Sequence, residues 1–118
     1  MSAWTGPWTS AQAGASLEYV VDLNAHARGA MAKLYPQATV TAELSEALND
    51  PRVQGVVVAV GLRDHFDVAR RALQAGKHTF VEKPLTLTAA ESEELIRLAE
   101  SRGLKLMVGH ILRHHPAV

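Results

Sequence analysis

The residues most able to do chemistry in this sequence stand together in the segment Glu82-Lys83-Pro84. They follow Thr79-Phe80-Val81, a run typical of a buried strand. Open α/β sheets bind ligands at the carboxyl ends of their strands, so we expect Lys83 at the edge of a crevice. A lysine partly desolvated there has a lowered pKa and could exchange a proton with a hydroxyl group. Pro84 favours an extended backbone at Lys83. The alternative is a solvated Glu-Lys pair at a strand end.

A second candidate is Asp22, which ends the strand predicted from Leu17 onward. In a dinucleotide-binding fold, a carboxylate at the end of the second strand accepts hydrogen bonds from the adenosine ribose hydroxyls and repels a 2′-phosphate. Asp22 therefore favours NAD over NADP as a cofactor. The alternative is that aspartate is a common residue at strand ends.

Three histidines near the end of the chain, His110, His114 and His115, raise the question of a metal site. His110 and His114 have the i, i+4 spacing that places two side chains on one helix face. No H-E-x-x-H pattern and no cysteine accompanies them. We therefore expect no metal site.

The elements that must position these residues alternate between short apolar runs and amphipathic stretches, which is the pattern of βαβ units. Residues 55–60 are apolar without alternation, as expected of a parallel strand covered on both faces. Thr88 with Glu91 predicts a capping box at the start of a helix that ends near Arg102. The other predicted strands are 17–22, 39–41, 79–81 and 104–108. Two further helices are predicted at 24–34 and 64–75, and a short helix lies between them in the sequence. The apolar face of the short helix consists of Leu44, Ala47 and Leu48, and that of helix 64–75 of Phe66, Ala69, Ala72 and Leu73. The fold class expected is α/β, a Rossmann-like parallel sheet with helices on both faces.

The centre of this sheet is where the sequence departs from the dinucleotide-binding pattern. In the strand order 3-2-1-4-5-6, the first strand is central and leads into the glycine turn that holds the pyrophosphate. If Asp22 ends the second strand, these glycines belong near the start of the chain, which offers only Gly6 and Gly14. We therefore predict that the first strand is missing or rebuilt, with residues 1–16 forming an atypical segment.

Composition limits the class of protein further. The 118 residues predict a single domain, 1–118. Twelve basic and twelve acidic residues balance, which argues against a nucleic-acid surface. The absence of cysteine, of an apolar run near ~20 residues and of a basic leader favours a cytoplasmic protein that is neither secreted nor in a membrane.

Two stretches resemble the Gfo/Idh/MocA oxidoreductases: Phe80-Val81-Glu82-Lys83-Pro84-Leu85-Thr86-Leu87-Thr88, and Leu106-Met107-Val108-Gly109-His110-Ile111-Leu112-Arg113-His114-His115-Pro116. Ala75-Gly76-Lys77-His78 and Asp50-Pro51 follow the same pattern, so the resemblance covers roughly residues 17–118. It is nearest to members acting at C3 of UDP-linked N-acetylamino sugar acids. The resemblance implies hydride transfer between a nicotinamide cofactor and a sugar carbon.

The resemblance also implies roles for individual residues. Lys83 matches the family's acid/base lysine, and Glu82 and Pro84 match residues that line the nicotinamide site. His65 matches a histidine near the nicotinamide, although Val60-Gly61 stands where the family usually has Thr-Pro, and a helix-start histidine with no ligand role is the alternative. His110 is implied in substrate binding, and Arg113 is expected to turn toward the substrate cleft or the following domain.

The family's second domain, which binds the sugar, is absent from this sequence. We therefore expect a part of a sugar oxidoreductase that is inactive alone and whose NAD binding is doubtful without the glycine turn. The alternative is a non-catalytic binding or interaction module on the same scaffold. A third hypothesis, a phospho-acceptor domain using Asp22, lacks the acidic cluster expected near the N-terminus. The uncovered edges beside the first strand predict a homodimer, through the N-terminal segment or an exchanged strand, in which Trp4 and Trp8 take part.

Overall fold

A computed structural model describes residues 2–5, by their backbone alone, and residues 16–110. The described strands are β1 (Ser2–Thr5), β2 (Ser16–Val21), β3 (Thr39–Thr41), β4 (Gly55–Val58), β5 (His78–Glu82) and β6 (Leu106–Gly109). The described helices are α1 (Ala25–Leu34), α2 (Leu44–Leu48), α3 (Leu62–Gln74) and α4 (Ala89–Ser101). This order confirms the predicted alternation of strands and helices.

The strands form one six-stranded sheet in the order β3-β2-β1-β4-β5-β6. β2 and β3 are parallel, and so are β4, β5 and β6. β1 is antiparallel to both of its neighbours, β2 and β4. The α/β Rossmann-like fold is confirmed, and the first strand is rebuilt from residues 2–5 in the reverse direction.

The direction of β1 changes what lies at each edge of the sheet. Ser2 pairs with Val20 and Val57 near the carboxyl ends of β2 and β4, whereas Thr5 pairs with Ser16 at the amino end of β2. β1 therefore ends, and β2 begins, at the amino edge of the sheet. A parallel first strand would have its turn at the opposite, carboxyl edge. Gly6 and Gly14 lie outside the described residues.

The main hydrophobic core lies between the sheet and the helices α2, α3 and α4. The strands contribute Val56, Val58 and Val81, which are completely buried, and α3 and α4 contribute Leu73 and Leu95. Val21 belongs to this core, while Val20 is buried on the opposite face because successive strand residues point to opposite sides. α1 contacts β2 and β3, and it has no buried residue. The helices therefore cover both faces, but unequally.

Helix α3 begins two residues earlier than predicted and buries a slightly different stripe. Its buried side chains are His65, Ala69, Ala72 and Leu73, and Phe66 is only partly buried against the core. The sequence pattern favours Phe66 over His65 because phenylalanine is apolar, but the contacts of the His65 ring with two carbonyl oxygens allow its burial. The Thr88 half of the capping box predicted for α4 is confirmed, since Thr88 Oγ1 accepts a hydrogen bond from the backbone N–H of Glu91.

The amino edge of the sheet is held by polar side chains that have no role in the predicted site. Lys77 is buried, and its Nζ donates to the carbonyl oxygens of Asp50, at 2.9 Å, and Val53, at 2.7 Å. Burial lowers the pKa of Lys77. Arg52 hydrogen-bonds to the Asp50 carboxylate and holds its pKa well below the usual range. Tyr19 donates to the same carboxylate, which raises the pKa of Tyr19.

Candidate functional site

The carboxyl ends of five strands lie on one edge of the sheet and carry most of the predicted site residues. β2 and β4 run in the same direction because each is antiparallel to β1, and β3, β5 and β6 follow them. Asp22 follows β2, Glu82 ends β5, and His110 follows β6. The topology thus brings these residues to a common edge, with Asp22 about 14 Å from the end of β5 by the usual strand spacing.

Lys83 follows β5 directly, and its position is set by the neighbouring strand. Its backbone N–H donates to the carbonyl oxygen of Gly109 over 2.8 Å, and the Lys83–Pro84 peptide bond is cis. The side chain of Lys83 is exposed. The partial desolvation expected from the sequence is therefore wrong for the described residues, because Lys83 lies beyond the end of β5, where neither α3 nor α4 covers it.

His65 lies beneath the same edge, between the ends of β4 and β5. It is only 3% exposed. Its Nδ1 is 2.9 Å from the carbonyl oxygen of Pro84, and its Nε2 is 3.0 Å from that of Val60. Both oxygens are acceptors, so the donor depends on which ring nitrogen carries the proton. In this structure His65 joins the two loops that follow β4 and β5.

Asp22 is held in a tight turn after β2. Its Oδ1 accepts a hydrogen bond from the backbone N–H of Asn24 over 2.8 Å. Arg28 Nη1 donates to the carbonyl oxygens of Asp22 and Leu23, each at 2.9 Å. Asn24 also caps α1 by accepting from the N–H of Ala27. These contacts fix the loop that begins at the carboxyl end of β2.

A cavity of about 600 Å³ opens at this edge between the ends of β2, β3 and β4 and one side of α3. Its volume lies within the range of small-molecule sites. Apolar contributions come from Val21, Leu23, Leu44, Val60 and Val68. The charged side chains that line it are Asp22, Glu43, Asp64, Asp67 and Arg71. The cavity therefore combines a partly apolar lining with an excess of carboxylates.

Four of these charged residues were missed by the sequence reasoning, namely Glu43, Asp64, Asp67 and Arg71. The three on α3 recur with Val68 at helical spacing, so they share one face of α3 beside its buried stripe. This periodicity could have identified the face as a lining. Glu43 follows β3, and the pairing of β3 with β2, in which the backbone N–H of Asp22 donates to the carbonyl oxygen of Thr41, brings it near Asp22.

The structure gives less support to the site residues predicted after β6 than to those predicted after β2, β4 and β5. His110 follows β6 and is exposed. The residues Arg113, His114, His115 and Trp8 lie outside the described residues, as does the side chain of Trp4.

Within residues 2–5 and 16–110, no group of three or more histidine, aspartate or glutamate side chains is arranged to hold a metal ion. Nor is any helix in these ranges long and apolar enough to cross a membrane.

Residues 2–110 match the family model described as the oxidoreductase family with an NAD-binding Rossmann fold. The chain is 46% identical over 66 residues to a UDP-N-acetylglucosamine 3-dehydrogenase of Acidithiobacillus ferrooxidans, which covers 56% of this chain and 21% of that protein. It is 42% identical over 76 residues to the NADP(+)-dependent scyllo-inositol 2-dehydrogenase IolW of Bacillus subtilis, covering 64% of this chain and 21% of IolW. The chain thus spans about a fifth of the length of these relatives.

Among solved structures, the chain is similar to GenD2 from gentamicin A biosynthesis, in complex with NAD. The TM-score is 0.76 and the sequence identity is 36%. The match covers 80% of this chain and 27% of GenD2. A match of this quality extends over most of the described strands and helices.

Proposed function

Because the chain belongs to the Gfo/Idh/MocA oxidoreductase family, we propose that it is the nucleotide-binding part of an NAD-dependent dehydrogenase that acts on a sugar or nucleotide sugar. The observation that carries this proposal is the common edge itself. The loops after β2, β4, β5 and β6 meet there with Asp22, His65, Lys83 and His110. Ligands of open α/β sheets bind at this edge.

In the proposed reaction, Lys83 is the acid/base residue. Its Nζ takes the proton from the sugar hydroxyl when the sugar is oxidised and returns a proton when the ketone is reduced. Two features support this role: the backbone hydrogen bond from Lys83 to Gly109, and the exposure of the side chain at the crevice. In a full-length protein, a substrate-binding domain over this edge would supply the desolvation that the described residues do not.

Glu82, Pro84 and His65 are proposed to shape the nicotinamide side of the crevice. For His65 we propose an indirect role, because its ring nitrogens face the carbonyl oxygens of Pro84 and Val60. His110 and Arg113 are proposed to face the sugar, since they follow the last strand of the sheet.

The crevice suits the adenosine end of a dinucleotide cofactor, but it does not suit the pyrophosphate in the middle of that cofactor. The cavity beside Asp22 suits adenosine, and the Asp22 carboxylate favours NAD over NADP because it repels a 2′-phosphate. The pyrophosphate is normally held by a helix N-terminus after the first strand. β1 runs the other way, so its carboxyl end lies at the opposite edge. We therefore propose for this chain the proton transfer at Lys83, and we derive no step that involves the cofactor.

The test uses the longer protein that contains this chain. Replacing Lys83 by methionine should lower kcat by about 10²–10⁴ while NAD binding is retained, as expected for loss of a proton-transfer group. Lys105→Met is the matched control, because Lys105 is an exposed lysine at the amino edge, before β6. Near-normal turnover of Lys83→Met would remove the assignment.

The second candidate function is a non-catalytic binding or interaction module. The reversed β1 favours it, because the carboxyl end of β1 lies at the edge opposite the crevice. The flanking genomic sequence separates the two candidates. An apolar strand with Gly-x-Gly upstream and a β-rich domain downstream would support the dehydrogenase, and a stop codon after Val118 with a promoter before Met1 would support the module.

The homodimer and the cytoplasmic location predicted from the sequence remain proposals. β1 pairs with both β2 and β4, so it covers the edges that motivated self-association. The remaining route to a dimer is exchange, in which β1 of one copy fills the same place in the other. Neither proposal is needed for the role of Lys83.

A further inference from the structure

On the basis of the proposed function, we infer that the cavity of this chain takes an uncharged, hydroxyl-bearing ligand of nucleoside size and discriminates against the phosphates of NAD and NADP. It would thus recognise the adenosine end of the family's cofactor while opposing the rest. Three independent features of the crevice lead to this inference: its charge, the direction of β1, and the volume and lining of the cavity.

The charge of the lining is the first feature. The carboxylates of Asp22, Glu43, Asp64 and Asp67 face one guanidinium, that of Arg71. The N-terminus of α3 also lies here, at Gly61, and a helix N-terminus carries about half a positive charge. Arg28 adds a second guanidinium beside Asp22, on the carbonyl oxygens of Asp22 and Leu23. Even with these contributions, the described residues around the cavity keep an excess of about one to two negative charges. Such a lining repels a phosphate group.

The direction of β1 is the second feature. β1 ends at Thr5, which pairs with Ser16 at the amino edge. At about 3.3 Å per residue, Thr5 lies ~10 Å from the level of Ser2, which is the end of β1 nearest the cavity. The carboxyl end of β1 therefore lies away from the crevice. No replacement for the phosphate-binding glycine turn is present among the residues that the structure describes.

The volume and lining of the cavity are the third feature. About 600 Å³ is enough for a base and a ribose. Leu23, Leu44 and Val60 provide apolar surface for a planar base. The carboxylate oxygens of Asp22 and Glu43 are acceptors for ribose hydroxyls. A neutral nucleoside satisfies these groups and adds no charge to the cavity.

The experiment titrates the ¹⁵N-labelled chain with adenosine, AMP and NAD in low salt and follows the backbone amides of Leu23 and Gly61 by NMR. Adenosine should shift both amides. AMP should bind about tenfold more weakly than adenosine, and NAD should bind more weakly than adenosine as well, because the phosphates meet like charges across a few ångströms. At 0.5 M salt the difference between adenosine and AMP should shrink, since screening weakens repulsion between partly exposed charges.

The double variant Asp64→Asn/Asp67→Asn should bring the affinities for adenosine and AMP close together. Its matched control is Glu94→Gln/Glu100→Gln, which removes two exposed carboxylates from α4 on the far side of α3. The control should retain the tenfold difference. Asp67→Asn alone, at an exposed position inside α3, serves if the double variant does not fold.

The outcomes separate this inference from the proposed function. Tighter binding of AMP or NAD than of adenosine would overturn the inference and support the nucleotide-binding role. A difference that persists unchanged in Asp64→Asn/Asp67→Asn and in high salt would overturn the electrostatic explanation. If none of the three probes shifts Leu23 or Gly61 at millimolar concentration, both the inference and the nucleotide-binding proposal are contradicted.

Discussion

At the scale of single residues, His65 differs most between the sequence argument and the structure. The sequence places a polar side chain at the start of a helix, where a ligand contact and an idle surface position are both plausible. In the structure it is buried and lies within hydrogen-bonding distance of the carbonyl oxygens of Val60 and Pro84. Its contacts connect the loop after β4 with the segment that carries Lys83. In the proposed function, a residue in this position acts by holding Lys83 in place.

Replacing His65 by alanine should lower the free energy of unfolding by about 1–3 kcal/mol, because the carbonyl oxygen of Val60 or of Pro84 loses its donor and the buried imidazole loses its packing. Urea unfolding of the chain measures this change. Amide hydrogen exchange at Lys83 should also become faster, since the loop after β5 loses its tether to the loop after β4.

His26→Ala is the control for this prediction. His26 is exposed on α1, and alanine favours a helix, so its replacement should change stability by no more than about 0.5 kcal/mol. Equal effects of His65→Ala and His26→Ala would show that the two carbonyl contacts of His65 do not stabilise the fold.

At the scale of elements, the helices differ in how firmly they are held. α3 and α4 are each followed, two residues after their last helical residue, by a glycine; these are Gly76 and Gly103, with φ values of +83° and +65°. Residues other than glycine rarely adopt a positive φ. α1, by contrast, contains Gly29 in its interior and buries no side chain. The helices α3 and α4 are therefore held more firmly against the sheet than α1, and the candidate site depends mainly on the face that they cover.

This difference predicts opposite effects for the same substitution at two glycines. Gly76→Ala should destabilise the chain by about 1–2 kcal/mol, because alanine is strained at a positive φ. Gly29→Ala should stabilise it by about 0.5–1 kcal/mol, because alanine favours a helix interior and its Cβ would meet no atom within 4 Å. Thermal unfolding of both variants provides the comparison. A stabilising Gly76→Ala would mean that α3 ends differently in solution.

At the scale of the whole molecule, the centre of the sheet depends on four residues. β1 joins two parallel units, β2 with β3 and β4 with β5 and β6, and it is antiparallel to both. Without β1, β2 and β4 would each present an unpaired edge, and such edges recruit other strands. The integrity of the sheet and the oligomeric state of the protein are therefore linked through residues 2–5.

Light scattering at micromolar concentration tests this link. If copies exchange β1, the intact chain should be dimeric, and deletion of residues 1–5 should replace the dimer by larger aggregates because two edges become free. A monomeric intact chain would contradict the proposed exchange. A deletion variant that stays monomeric and folded would show that β2 and β4 can pair directly.

The sequence by itself determined the local elements and the chemistry at their ends. Apolar runs, the Thr88 cap and the glycine stops predicted the described strands β2 to β6 and the helices, because these signals act over a few neighbouring residues. The same signals placed Asp22, Glu82 and Lys83 at strand ends, and parallel strands must present those ends at one edge.

Only the tertiary structure decided the direction of β1, the burial of His65 and the charge of the cavity. Residues 2–5 carry no signal for parallel or antiparallel pairing, because that choice depends on the hydrogen bonds offered by β2 and β4. The cavity collects Asp22, Glu43 and the exposed face of α3 from positions up to about 50 residues apart. Their combined charge exists only once the chain has folded, which is why the crevice could be located from the sequence but the charge of its lining could not.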